Sequence, residues 1–205
     1  MRAAVLGFLA GVWTALPGIV ISFNAARGTV DVQPAIQGRV TDQKGNETWQ
    51  QIKRIRDCPV VFYHAGNLAL TLPLAAGDEV LLIFSARCID SWFQSGGVQI
   101  QSELRMHDLS DGFAIPGPFS LPNVLSSIST TAAQLRTKDG SAYIELTPAG
   151  VVNIKAPGGV NINGATVVTG SVNASGDVQG NGHSLSGHIH GGVQSGGSNT
   201  SGPIG

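Results

Sequence analysis

Two histidines near the end of the chain, His188 and His190, have the side chains and the spacing of a metal site. Alternate side chains of an extended segment point to the same side, so both imidazoles would face one ion. Asp177 is the one charged residue between Ala156 and Gly205. A closed transition-metal site takes about four to six ligands, and one chain supplies two. The site therefore requires other ligands or copies of the motif from neighbouring chains, and three copies would supply six imidazoles.

Two histidine ligands do not by themselves identify the metal ion. Neutral imidazoles suit iron, zinc, nickel or copper better than calcium or magnesium. The other interpretation of His188 and His190 is a polar surface pair in a Gly/Ser-rich tail. His183 lies outside the motif and is interpreted as a solvated side chain.

A glycine repeat precedes the histidine pair and predicts the element that positions it. Glycine recurs with a spacing of six at Gly158, Gly164, Gly170, Gly176 and Gly182. Between the glycines, mainly apolar or small positions alternate with polar ones, which is the period of a strand. These positions are Val160, Ile162, Thr166, Val168, Val172, Ala174, Val178 and Gly180. Their side chains shrink toward the C-terminus, so the apolar face tapers.

Such a strand cannot bury its apolar face alone, so neighbouring chains must cover it. Wrapping identical chains into a β-prism or an intertwined β-helix buries the stripe and removes the sheet edges. We predict a trimeric β-helix over 142–187 and a metal-binding apex with a C-terminal tail over 188–205. The alternative is a disordered Gly/Ser/Asn-rich tail.

Composition limits the other classes of function. The chain has 205 residues, 12 Lys and Arg, 13 Asp and Glu, and a formal net charge of -1. This balance does not indicate nucleic acid or an anionic membrane surface as an electrostatic partner. Cys58 and Cys88 would form one disulfide if their strands were adjacent, but two buried free thiols explain them equally well. We prefer free thiols.

The N-terminal run from Ala3 to Leu16 has two interpretations. Met1-Arg2 followed by apolar residues resembles a secretory signal, although glycines interrupt the run. We prefer an amphipathic helix, because apolar residues recur with helical spacing at Val5, Leu9, Val12 and Leu16. The run is too short for a transmembrane span.

From Leu16 to Phe113 the pattern is that of short strands separated by turns. Strands are predicted at Ile19–Phe23, Thr29–Ile36, Val60–Tyr63, Ala69–Leu72 and Glu79–Phe84, and Thr41 to Arg56 is an exposed loop with its own edge strand. About five strands in roughly a hundred residues suit a small barrel of oligonucleotide/oligosaccharide-binding (OB) type. We therefore predict an all-β chain, with an N-terminal helix and OB-type barrel over 1–115 and a connector over 116–141.

Residues that might suggest catalysis have a simpler explanation. Asp108 and Asp111 around Ser110 are typical of a turn, in which side-chain oxygens accept from nearby amides. His64 and His107 are far apart in sequence, and Ser110 lacks the glycines of a nucleophile elbow. We expect no enzymatic activity.

Five segments carry a resemblance to a known family. They are Ala15–Val20, Leu72–Leu74, Gly77–Leu82, Ser85–Asp90 and His107–Phe113. Together with the glycine repeat and the terminal His-x-His, they resemble the central spike proteins of phage baseplates over most of the chain.

The resemblance implies a homotrimer whose N-terminal barrel docks to the tail hub and whose β-helix projects from it. It implies that the pointed end pierces the host outer membrane when a contractile sheath drives the tube forward. It also implies that His188 and His190 of three chains hold one iron ion octahedrally at the apex. Such a protein is assembled in the host cytoplasm and carried at the distal tip of the tail baseplate of the virion.

Two other functions stay open. A trimeric receptor-binding fibre would expose a ligand surface on the repeat, but the residues from Ala156 onward include no aromatic ring to stack on a sugar. A zinc hydrolase built on His188 and His190 needs a third ligand and a general base in a pocket. Small inward side chains leave no room for such a pocket. A non-enzymatic puncturing spike is therefore the preferred prediction.

Overall fold

A computed structural model describes residues 7, 11–189 and 196, and these form two compact units. Unit 1 contains the described residues up to Thr131 together with Thr137–Gly140. Unit 2 contains Ala132–Arg136 and the described residues from Ser141 onward. The prediction of an all-β chain is confirmed, since within 11–189 the strands are accompanied by a single short α-helix, α1 (Asp90–Ser95), and two 3-10 turns.

The described strands are short, and most pair with a sequence neighbour. In chain order they are β1 (Ala15–Asn24), β2 (Thr29–Pro34), β3 (Gln37–Thr41), β4 (Glu47–Gln51), β5 (Ile55–Pro59), β6 (Tyr63–Ala65), β7 (Leu68–Leu70), β8 (Glu79–Phe84), β9 (Gly112–Pro116), β10 (Ala133–Arg136), β11 (Tyr143–Leu146), β12 (Val152–Lys155), β13 (Gln179–Gly180) and β14 (His183–Ser184). The 3-10 turns are Leu109–Asp111 and Leu121–Asn123.

Unit 1 is organised around a five-stranded antiparallel sheet with the order β5-β2-β1-β8-β9. The sheet curls into a half barrel, and a parallel bridge between Val60 and Ala114 joins its two edges. Buried positions alternate with more accessible ones along β8 and along most of β2, which is the pattern of strands with one face on a core. The buried side chains that fill the concave face are Val20, Val30, Val32, Ile55, Cys58, Val80, Leu82, Phe84 and Ala114.

Three predicted strands of unit 1 are found close to their expected positions, as β1, β2 and β8. The predicted strand Val60–Tyr63 is wrong. The strand that pairs with β2 at this edge of the sheet is β5, which ends at Pro59. Residues Ile55 and Cys58 are buried there, and Cys58 pairs with Val30. The predicted strand Ala69–Leu72 lies instead at β7, which pairs with β6 outside the main sheet.

The predicted N-terminal helix is wrong at its C-terminal end. Leu16 lies in β1, where it pairs with Leu82 and packs against the core. Strand pairing with β8 satisfies the backbone of this segment, so a helix cannot extend through it. Val5 and Leu9 lie outside the described residues. Among the described residues, no helix has the length and hydrophobicity needed to cross a bilayer.

Unit 2 begins with a three-stranded antiparallel sheet in the order β10-β11-β12. Its first strand lies within the predicted connector. Over 158–178, where the glycine repeat predicts strands, the single chain has no strand. The trimeric β-helix therefore stays a prediction about an assembly of several chains. The last described elements are the paired strands β13 and β14.

Candidate metal centre at the C-terminal end

The hairpin of β13 and β14 positions the candidate metal-binding residues. Its two-residue loop is Asn181-Gly182, and both residues have positive φ, 50° and 79°. A type I′ turn requires positive φ at both central positions, which glycine adopts without strain and asparagine tolerates. The Asn-Gly pair therefore reverses the chain at this point and returns Ser184 alongside Gln179.

Asp177 holds the returning strand through one carboxylate oxygen. Its Oδ1 accepts hydrogen bonds from Ser186 Oγ at 2.7 Å, Ser184 Oγ at 2.8 Å and Ser186 N at 3.2 Å. These bonds favour the ionised carboxylate, so the hydrogen bonds from Ser186 and then Ser184 lower the pKa of Asp177 to about 2. The one charge of this part of the chain is thus the centre of a local hydrogen-bond network.

Ser184 also accepts hydrogen bonds from the segment that contains His188, and so fixes the position of this histidine. Its hydroxyl accepts from Gly187 N at 2.8 Å, and its carbonyl oxygen lies 3.2 Å from His188 N and 2.9 Å from His188 Nδ1. A carbonyl oxygen only accepts, so in the neutral imidazole this contact places the proton on Nδ1 and the lone pair on Nε2. Metal-binding histidines commonly donate their second ring N–H in this way. The geometry of His188 therefore fits a metal ligand that coordinates through Nε2.

The predicted site residues differ in what the structure describes. His188 is exposed, whereas His190 lies outside the described residues, so the pairing of the two imidazoles stays a prediction. His183 is exposed in β14, as expected for a solvated side chain. The sequence analysis missed the roles of Asp177 and Ser184. The Asn-Gly dipeptide is the signal that predicts this hairpin.

A second group of potential ligands lies in unit 1, where Cys88, Asp90 and Asp111 bring their ligand atoms within 4.8 Å of one another. The two carboxylates of this group are already paired with the Arg105 side chain. Its guanidinium donates to Asp111 Oδ2 at 2.7 Å and Oδ1 at 3.0 Å, and to Asp90 Oδ2 at 2.7 Å. Asp111 Oδ1 also accepts from Ile89 N at 2.9 Å. We therefore interpret this group as a buried ion pair and not as a metal site.

The turn predicted around Ser110 is confirmed. Asp108 accepts from Ser110 N at 2.9 Å and caps the 3-10 turn Leu109–Asp111. Hydrogen bonds from Ser110 lower the pKa of Asp108. Cys58 and Cys88 are free and buried, and burial raises the pKa of Cys58 to about 12. A thiol with so high a pKa is a poor nucleophile at neutral pH.

Comparison with known proteins gives two family matches. Residues 16–117 match the family described as phage protein Gp138 N-terminal domain. Residues 184–203 match the family described as GpV apex motif. No curated protein matches the chain. The first match covers the main sheet of unit 1, and the second begins at Ser184 and includes both candidate ligands.

The order of these two matches defines the class of protein. An N-terminal domain of a phage protein is followed in one chain by an apex motif at the C-terminal end. The resemblance to baseplate spikes is thereby confirmed. Together the two matches are those of a phage baseplate central spike protein, and they indicate a location in the tail of the virion.

Proposed function

We propose that this protein is the membrane-piercing central spike at the distal tip of a contractile tail, and that it acts as a homotrimer. The observation that carries the proposal is that the apex match lies on the segment in which the Asp177 network orients His188. A tip driven through a membrane needs its chain ends fixed, because fraying starts at termini. The network between Asp177 and His188 orders the segment that leads to the proposed ligands, which serves this purpose.

In the proposed trimer, His188 and His190 of three chains hold one transition-metal ion, and the family resemblance favours iron. When bound, the ion supplies cross-links between chain ends, and its binding free energy stabilises the folded tip. The contribution of this chain is to orient the ligand. The Ser184 carbonyl accepts from Nδ1 of His188, which leaves the lone pair on Nε2.

We propose that unit 1 is an OB-type barrel that docks the spike to the tail hub. The strand order β5-β2-β1-β8-β9 and the parallel bridge between Val60 and Ala114 support this assignment, because an OB barrel is a five-stranded, partly open Greek-key sheet. The spike is assembled in the host cytoplasm, which the two free, buried cysteines support.

We propose a mechanical function without catalysis. The acidic residues that suggest chemistry have structural partners: Asp108 caps a turn, and Asp111 pairs with Arg105. A purified protein that hydrolyses cell-wall material would contradict this part of the proposal.

Metal analysis and light scattering on purified protein test the proposed apex. We expect one transition-metal ion per three chains in the wild-type protein and none in the variant His188→Ala/His190→Ala. His183→Ala is the matched control, because His183 is an exposed histidine of the same hairpin and should not affect the metal content. Unchanged metal content in the double variant would show that the ligands are wrongly assigned.

Piercing itself is tested on particles that carry these variants. We expect adsorbed wild-type and His183→Ala particles to admit a dye that an intact outer membrane excludes. Particles with the double variant should admit less dye. Equal dye entry for all three particles would mean that the clamped apex is not needed for penetration.

A further inference from the structure

One segment of unit 1 presents aliphatic side chains to solvent. It runs from Gly96 to Met106, between α1 and β9, and contains no strand or helix. We call it the aliphatic loop. Val98 is fully exposed, Ile100 is 88% exposed and Leu104 is 87% exposed. Large aliphatic side chains grouped on a surface in this way mark an interaction site.

Polar side chains fix the aliphatic loop to the rest of unit 1. Ser102 Oγ lies 3.3 Å from the Sγ atom of Cys88, which is a buried residue. Arg105 donates to the buried carboxylate of Asp111, and its side chain is only 19% exposed, unlike that of its neighbour Leu104. The loop thus inverts the usual arrangement, in which aliphatic side chains face the core and charged ones face water. Because the Arg105 ion pair holds this orientation, burial of the aliphatic side chains requires a further surface.

The strand register locates the aliphatic loop at one end of the main sheet. β8 ends at Phe84 and β9 begins at Gly112, and these two residues are paired. The chain between them therefore leaves the sheet and returns to it at the same end. The start of β1 lies at this end too, because Ala15 pairs with Ile83.

The hairpin of β3 and β4 lies at the same end of the sheet. β2 ends at Pro34, near the start of β1, and β5 begins at Ile55, which pairs with Val32. The hairpin between them carries Trp49, which is 67% exposed and faces Arg39 across the two strands. Tryptophan and arginine are the side chains that most often supply binding energy at protein interfaces.

The chain leaves the main sheet for the last time at the opposite end. β9 ends at Pro116, which pairs with Val80 near the start of β8. The residues that follow are held there, since Glu79 accepts from Ser120 Oγ at 2.7 Å and from Asn123 Nδ2 at 3.0 Å. The aliphatic loop and the β3–β4 hairpin therefore lie at the end of unit 1 that is away from this exit.

We propose that the aliphatic loop and the β3–β4 hairpin form the surface by which unit 1 docks onto the tail hub protein, and that Val98, Ile100 and Leu104 enter apolar pockets of that protein. The proposal rests on the docking role of unit 1 in the proposed function. It adds which end of unit 1 makes the contact and which side chains carry it.

The position and the chemistry of this surface both favour a tail protein as the occupant. In the proposed spike the chain runs from the tail to the apex, so the end of unit 1 away from the exit of the chain is the end that meets the tail. Charged pairs accompany the exposed apolar side chains, with Arg105 bonded to Glu103 at 2.8 Å and Arg39 bonded to Glu47 at 2.9 Å. Apolar anchors within a polar rim are typical of contacts between different proteins.

Photo-cross-linking in assembled particles identifies the occupant. The full chain carries benzoylphenylalanine in place of Ile100 or, as the control, in place of Leu121. Leu121 is 89% exposed and begins the 3-10 turn whose Asn123 bonds to Glu79 at the other end of unit 1. Irradiation should join the label at Ile100 to the hub protein, identified by mass spectrometry of the adduct, and the label at Leu121 should not give this adduct. Adducts only with further copies of this chain, no adduct at all, or equal yields from both labels would overturn the inference.

Two charge substitutions measure what the aliphatic loop contributes to docking. Ile100→Asp places a carboxylate among the anchors, and Gln99→Asp places the same charge one residue away on an exposed polar side chain. Quantitative mass spectrometry of purified tails should find at least roughly tenfold less Ile100→Asp than wild-type protein, as expected for a docking contact weakened by that factor. Gln99→Asp should be present at the wild-type level. Retention of Ile100→Asp at the wild-type level would contradict the assignment of the anchors.

Measurements on purified protein separate lost docking from misfolding. The three tryptophans, Trp13, Trp49 and Trp92, lie in unit 1, so an unchanged fluorescence spectrum shows that unit 1 of a variant has folded. Ile100→Asp should keep this spectrum and the wild-type mass by light scattering. A change in either would assign Ile100 to the stability of unit 1 or to contacts between copies, and would overturn the inference while leaving the proposed spike intact. Absence of the wild-type protein from purified tails would contradict the proposed function itself.

Discussion

The charge of Asp177 organises the hairpin of β13 and β14 and the residues just after it, through the two serines that bond to its carboxylate. Its pKa is lowered from 3.8 to about 2, because the bonds from Ser186 and Ser184 favour the ionised form. A carboxyl whose pKa is lowered on folding stabilises the folded state above its unfolded pKa, and that contribution is lost as the pH falls through the folded pKa. The hairpin should therefore keep its order at pH 5 and lose it between about pH 4 and pH 2.

The amide proton of Ser186 reports this titration, because it bonds directly to Asp177 Oδ1. We expect its chemical shift in an NMR titration to change with a midpoint near pH 2. Asp177→Asn should abolish the change. A midpoint at the ordinary aspartate value of 3.8 would show that the hydrogen bonds of Asp177 do not form in solution.

Arg105 matters at the residue scale because its removal leaves a buried charge. The side chain of Asp111 is fully buried, and that of Arg105 is 19% exposed. Breaking a buried ion pair from one side costs about 3 to 5 kcal/mol, since the remaining charge has no compensation. Arg105→Ala should lower the free energy of unfolding of unit 1 by that amount.

Urea unfolding followed by tryptophan fluorescence measures this loss. Arg39→Ala is the control, because Arg39 pairs with Glu47 at 2.9 Å on the surface and both side chains are more than half exposed. Exposed pairs contribute about 0 to 1 kcal/mol. Equal effects of the two substitutions would contradict a stabilising role for the buried pair.

At the scale of the elements, the main sheet depends on a glycine where two strands approach closely. A Cβ atom at Gly18 would lie 2.4 Å from Val32 Cγ1 and 3.1 Å from Leu82 Cδ1, and both side chains are buried. Gly18→Ala should therefore destabilise unit 1 by about 1 to 3 kcal/mol through overpacking. The glycine is required here for space.

Gly38 provides the comparison for this prediction. A Cβ atom there would lie 3.7 Å from Ile52 Cγ1, which is an ordinary contact. Gly38→Ala should change the free energy of unfolding by no more than about 0.5 kcal/mol, because the added methyl group meets no close neighbour. If urea unfolding found both variants equally stable, the sheet would have more room beneath β1 than the structure indicates.

Sequence reasoning missed two strands of the main sheet, β5 and β9, and β5 shows why local patterns fail. Its buried residues Ile55 and Cys58 are three apart, which breaks the alternation expected of a strand. Asp57 has a φ of 51°, its amide donates to Asp31 Oδ1 at 3.1 Å, and the pairing with β2 shifts register nearby. A bulge of this kind turns both apolar side chains to one face. No local period in the sequence predicts it.

At the scale of the whole molecule, each unit contains one of the two tyrosines, Tyr63 in unit 1 and Tyr143 in unit 2. Fluorotyrosine labelling therefore gives one NMR signal from each unit. In the proposed homotrimer, association that buries the exposed aliphatic side chains of β11 and β12, such as Ile144 and Ile154, stabilises unit 2 by mass action. We expect the midpoint of thermal unfolding measured at Tyr143 to rise with protein concentration, and Ile154→Lys to remove this dependence. A Tyr143 midpoint that does not change with concentration would argue against assembly through unit 2.

The sequence alone predicted the features that depend on local order. Alternating side chains predicted β1, β2 and β8, because period two decides which face of a strand is buried. The Asp-Ser spacing predicted the turn at Asp108, since its bonds span two residues. The combination of motifs predicted the class of protein, and the matches over 16–117 and 184–203 confirm it.

Tertiary structure alone decided which distant residues meet. Arg105 joins Asp90 and Asp111 because α1 and the segment before β9 lie together, a contact that no sequence spacing encodes. The register of β10, β11 and β12 likewise places Leu135, Ile144 and Ile154 in one row across three strands. Pairing across a sheet depends on the path of the chain through space, whereas strand alternation and turn capping depend on neighbours in sequence.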